Sequence, residues 1–99
     1  MKARKCKLLT DQDIGRLVET GADYEIRGAL VGYIEYGVSP GGFLLAVLRN
    51  NLRESIVFAD GSDLTCFVPL VRWICNYAPS QCWGSEAKVN AWVIAKGQR

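Results

Sequence analysis

Apolar positions recur every three to four residues in several separate stretches of the chain, and strand-like alternation is nowhere sustained. Thr10 followed by Asp11 and Asp13 reads as a helix start, with a capping hydroxyl and acids where the helix dipole favours them; Thr20-Gly21 ends that helix. Ile26, Leu30, Val31, Ile34 and Val38 fit a 3.6-residue period, which predicts a helix over 22–36 closed by Gly37. Gly28 and Gly32, four apart on it, fit close helix packing. The run from Phe43 to Leu48 has no polar side and predicts a central buried helix. Asn50-Asn51 interrupts it, and Asn51 with Glu54 three residues on matches a capping box for a helix reaching Phe58-Ala59. After Asp60-Gly61, Ser62 or Asp63 is expected to cap a helix to about Tyr77 with an apolar face of Leu64, Phe67, Val68, Val71, Ile74 and Cys75. Pro69 inside it either kinks the helix or marks its true first turn. Beyond a loop at 78–84, Ser85-Glu86 start a last helix that turns Val89, Trp92 and Val93 inward before Gly97. The expected fold is all-α: a compact bundle of five or six short helices in a single domain over 9–97, preceded by a flexible basic arm at 1–8.

Composition narrows this picture. At 99 residues and 49% hydrophobic, one core is within reach and disorder is excluded. That apolar share exceeds what a monomer of this length easily hides, so a homo-oligomer is expected. The net charge of +2 conceals an uneven distribution. Lys2, Arg4, Lys5 and Lys7 put +4 in the first seven residues, while eight basic and ten acidic side chains leave the remainder at −2. The arm is either a solvated tail or a weak, salt-sensitive contact for nucleic acid. With no apolar run of membrane-spanning length and no signal-peptide pattern, the expected location is the cytoplasm, without membrane contact.

Histidine is absent, which removes the commonest general base and the commonest metal ligand. No serine has a histidine or a Ser-x-x-Lys partner. The acid pairs Asp11/Asp13 and Asp23/Glu25 sit at helix starts, where capping accounts for them. Cys6, Cys66, Cys75 and Cys82 form no C-x-x-C pair; Cys6 is expected to be exposed and the other three to be small buried hydrophobes. The expectation is a protein that is not an enzyme and carries neither cofactor nor metal.

Three places hold candidate binding chemistry. Ser39-Pro40-Gly41-Gly42 is either a tight interhelical turn or, with two glycines before a helix, a backbone site for an anion. Tyr33 and Tyr36, three apart just before it, are aromatics that could stack a base there. Asn50, Asn51 and Arg53 form a polar cluster among apolar neighbours; Asn51 has a capping role, whereas Asn50 points to a loop or a partner. Trp83, in the loop Pro79–Ser85, is either a lid on the core or an exposed interface residue. Tyr24 and Trp73 add aromatic surface, and Arg49, Arg53 and Arg72 are the cations available to an anionic ligand.

The run Pro40-Gly41-Gly42-Phe43-Leu44-Leu45-Ala46-Val47-Leu48-Arg49-Asn50-Asn51-Leu52 is one carrier of a resemblance. Ala59-Asp60, Val71-Arg72-Trp73, Asn76-Tyr77-Ala78-Pro79, Cys82-Trp83-Gly84-Ser85 and Lys88-Val89 are the others. Together they resemble a family of small proteins of unassigned activity found in phages, prophages and other mobile elements. The resemblance covers about 31–93, and its pattern more often has Asp where this chain has Asn51. It implies a context, in which small accessory proteins block host functions by binding. The leading expectation is therefore a non-enzymatic accessory protein that binds and inhibits a host protein, with an anti-phage defence system as the expected target. An oligomeric binder that sequesters a nucleotide signal is the alternative, and a nucleic-acid-binding regulator acting through the arm is the third.

Overall fold

A computed structural model describes residues 8–97, and the arm expected at 1–8 lies outside them except for Leu8. Helix α1 (Asp11–Val18) starts at a complete capping box: the Thr10 hydroxyl accepts the Asp13 N–H at 3.0 Å and the Asp13 carboxylate accepts the Thr10 N–H at 3.1 Å. Helix α2 (Tyr24–Tyr36) begins two residues later than the periodicity suggests, because the Asp23 carboxylate accepts the Ile26 N–H and so stands outside as the cap. Its end is as expected, with Gly37 at φ 73°, a left-handed conformation that glycine adopts without strain. Helix α3 (Gly42–Leu48) is the buried one, with five of its seven residues in the core.

Asn50, at φ 63°, is the one non-glycine with positive φ among the described residues. Its N–H bonds the Val47 carbonyl and that of Asn51 bonds the Ala46 carbonyl, which together make a Schellman turn that closes α3. Asn51 then caps α4 (Leu52–Phe58) through its side-chain oxygen and the Glu54 N–H, at 3.0 Å. Helix α5 (Gly61–Tyr77) is capped neither by Ser62 nor by Asp63. Asp60 is the cap and Asp63 returns the bond from the third helical position, so Gly61 opens the helix instead of ending α4. Pro69 lies in its interior. The residue is exposed, as is Thr65, whose carbonyl loses the N–H that proline lacks, so water reaches the vacancy. A 3-10 turn (Ser80–Cys82) leads to α6 (Glu86–Gly97), where the Ser85 hydroxyl accepts the Lys88 N–H.

The described chain is thus an all-α bundle of six helices around one core. Leu17 of α1, Leu30 and Ile34 of α2, Leu48 of α3, Leu70 of α5 and Val89 of α6 are all essentially solvent-free. Each such side chain contributes about 1.5–3 kcal/mol relative to exposure. Two indole N–H groups bind distant segments together: Trp73 donates to the Asp13 carbonyl and Trp92 to the Tyr33 carbonyl. Trp73 is therefore a core residue, not the aromatic surface expected of it. The chain entering α1 is held by Glu35, whose carboxylate accepts the N–H groups of Leu8 and Leu9 at 3.0 and 2.8 Å. The radius of gyration, 12.8 Å, matches the roughly 13 Å of a single folded unit of this length. No helix among the described residues is long and apolar enough to cross a membrane.

Candidate functional site

Helix α4 contributes almost nothing to the core: Ser55 is its one buried residue, and the Ser55 hydroxyl is spent on the Leu52 carbonyl at 2.7 Å. Successive residues turn by roughly 100°. With Ser55 pointing inward, Phe58 lies on one flank and Leu52 with Ile56 on the other. All three remain substantially exposed, Leu52 at 66%. The two flanks look onto two different hollows.

The first is a groove of about 310 Å³ between the end of α3, α4 and α5. Leu52 and Ser55 wall one side, Phe67, Val68, Val71 and Cys75 the other, and Trp83 closes the end. Trp83 is fixed there by its neighbours. The Cys82 carbonyl accepts the Tyr33 hydroxyl from the core, and the Gly84 N–H donates to the Leu48 carbonyl at 2.8 Å. Polar groups in the wall are few: Asn50, Asn51 and Arg72. Asn51 is engaged as a cap, whereas the Asn50 and Arg72 side chains make no hydrogen bond or ion pair among the described residues.

The second hollow, about 260 Å³, lies between the starts of α2 and α3. Ile26, Ala29, Phe43 and Leu44 line it with Gly41 and Gly42, and Glu25 is its one charged group. The Phe58 ring lies against Gly42, 3.5 Å from where a Cβ would stand.

The groove thus brings together Asn50 and Trp83 of the candidate residues, and leaves Arg53 exposed on α4 outside its wall. Gly41 and Gly42 fall in the second hollow, while Ser39 is exposed in the turn before it. Tyr33 and Tyr36 do not form a stacking pair. Tyr33 is 0% exposed, and burial, with the neighbouring Cys82 second, holds its hydroxyl protonated far beyond the ordinary tyrosine range; Tyr36 is exposed alone. A three-residue step still spans about 60° of helix surface, enough to put one ring inside and the other out. The start of α3 is exposed at Gly41 and Gly42, with the Phe58 ring against Gly42 alone, and no charged side chain other than Glu25 lines the hollow beside it, an acid that disfavours phosphate.

Among the cysteines, Cys66 and Cys82 are buried as expected, and burial pushes both thiols up, Cys82 to about 11. Cys75 is a correction: it is exposed in the groove, because α5 there has no helix above it. Cys6 lies outside the described residues. No group of three or more Cys, Asp or Glu among the described residues is placed to hold a metal ion. Comparison with family models, with curated proteins and with solved structures finds no match to this chain.

Proposed function

We propose that the protein acts without catalysis, by stoichiometric binding to a host protein that it inhibits, in the phage or mobile-element setting its sequence resembles. The observation that carries this reading is the apolar hollow between α2 and α3, left open beside an exposed Phe58 and edged by Glu25 alone. A half-exposed phenylalanine seated on Gly42 at the edge of an apolar cleft offers the kind of aromatic surface in which interface cores are enriched. The single acid selects a partner that brings an apolar residue flanked by a cation, as the basic surface of a nucleic-acid-handling protein does. The nucleotide alternative has less to stand on, since the larger groove offers phosphates one cation, Arg72, in an otherwise apolar wall.

Affinity capture from host extract at low salt tests the reading, with the wild-type chain beside Phe58→Glu and Glu25→Lys. A host protein retained by wild type, and lost with both variants, supports it. Capture of nothing, or of proteins indifferent to both changes, sinks it.

A further inference from the structure

The groove between α3, α4 and α5 shares a border with a third hollow. That hollow, about 240 Å³, lies between the end of α1 and the C-terminal half of α5, and Arg16, Glu19, Thr20, Asn76 and Tyr77 make it polar. Val68 and Arg72 line both cavities. The two residues are one helical turn apart, about 6 Å, and form the ridge where an apolar wall gives way to a polar one. On the groove side stand Leu52, Phe67, Val71 and Trp83. On the other side, the Arg16, Glu19 and Arg72 side chains make no hydrogen bond or ion pair among the described residues. Two cations against one acid leave a single positive charge at the ridge.

We infer that the groove is a binding site for an amphipathic monocarboxylate of the medium-chain fatty acid class, its chain along Leu52, Phe67, Val71 and Trp83 and its carboxylate on the Arg72 guanidinium. At about 310 Å³ the groove is at the small end of the roughly 300–1,000 Å³ found for small-molecule sites. It has room for roughly ten chain atoms, at about 30 Å³ each. A guanidinium presents two parallel N–H groups that match the two oxygens of a carboxylate, so the free charge on the ridge fits this head in geometry as well as in sign. The charge balance sets the valence. One net positive charge offsets a carboxylate, whereas a phosphate dianion would keep an unbalanced charge beside Glu19. Asn50 and Asn51, the other polar residues of the groove, are exposed and neutral, so the wall sets no charge against the chain. An uncharged chain of the same length forfeits the Arg72 contact. The site lies on the opposite flank of α4 from Phe58 and does not depend on what the Phe58 side binds.

The test is isothermal titration of the full chain with decanoate, decanol and decyl phosphate. Decanoate is expected to bind with a dissociation constant of tens of micromolar, and decanol at least tenfold more weakly. Arg72→Gln, at an exposed position, is expected to weaken decanoate about tenfold, and Glu19→Gln to strengthen it. Leu52→Asp sets an acid in the groove wall at the first position of α4, where the helix dipole tolerates it; it is expected to abolish binding and leave the helical circular dichroism intact. Absence of decanoate binding overturns the proposal, as does decanol binding equally well, or binding indifferent to Arg72→Gln or to Leu52→Asp. Tighter binding of decyl phosphate than of decanoate overturns the assignment to a monocarboxylate.

Discussion

The hydroxyl of Tyr33, in the last turn of α2, donates to the backbone carbonyl of Cys82, 49 residues away in the turn before α6. Trp92 of α6 donates back to the Tyr33 carbonyl at 3.0 Å, so one tyrosine ties both sides of that turn to α2. Tyr33→Phe leaves the Cys82 carbonyl buried without its partner. The expected cost is about 1–3 kcal/mol, read as a lower urea midpoint with an unchanged slope.

The same region makes the fold sensitive to alkali. Burial raises the Cys82 thiol from 9.0 to about 11, and the Tyr33 hydroxyl rises still further from 10.0. Both groups are neutral when protonated, so above pH 9 the unfolded chain ionises first and gains the advantage. The contribution of these two groups is therefore expected to be constant from neutral pH to pH 9, to fall as pH rises from 9 to 11 with Cys82, and to go on falling above 11 with Tyr33. Replacing Cys82 by Ala is expected to flatten the first part of that fall. In the native protein at neutral pH, Cys66 and Cys82 are expected to stay silent to a thiol reagent that labels the exposed Cys75.

On the acid side, the exposed Asp60 has its carboxyl held below the ordinary value of 3.8, first by the bond from the Asp63 N–H and then by the Ser62 hydroxyl. A depressed value stabilises the fold above the unfolded pKa, and that contribution is lost as pH falls from there through the lower folded value. Asp60→Asn, which keeps an acceptor at the cap, is expected to preserve α5 at neutral pH while reducing the acid sensitivity of the melting temperature. Equal acid sensitivity in the two proteins would refute the role assigned to Asp60.

Glu35 offers a local test. Its carboxylate is the acceptor for the Leu8 and Leu9 N–H groups, and the Leu9 side chain is buried beside it. Glu35→Ala is expected to speed amide exchange at residues 8 and 9 at least tenfold, with exchange in α5 little changed.

Much of the fold is legible in the sequence wherever a local rule has one outcome. Thr10 with Asp13, Gly37 after an apolar period, and Asn51 with Glu54 each name a helix end by the hydrogen bond they can make. Asp60 is obscured because Gly61 looks like a terminator, and a glycine at the first helical position carries no local mark distinguishing it from one past the end. Asn50 is obscured by its chemistry: an amide among leucines suggests a ligand, yet its backbone takes the left-handed angle that ends α3. A Leu-Arg-Asn-Asn step is the clue that was present.

The site is harder to read than the fold. Helical period assigns Leu64, Val68 and Cys75 to an apolar face, and they are on one; whether a neighbour covers that face depends on where α4 is placed. Tyr33 and Tyr36 show the same limit in reverse, since spacing alone does not say which of two adjacent rings the rest of the chain encloses.

Helix α4 buries Ser55 and little else. A segment with so small an obligation to the core is free to drift. Substitutions at 53, 54, 56 and 57 touch neither the Phe58 contact with Gly42 nor the Leu52 wall of the groove, so a lineage pressed by changing partners can vary those four positions in succession while Ser55 stays. Sequence divergence among descendants of this chain is then expected to concentrate on one short helix, and to serve as a record of what that helix has met.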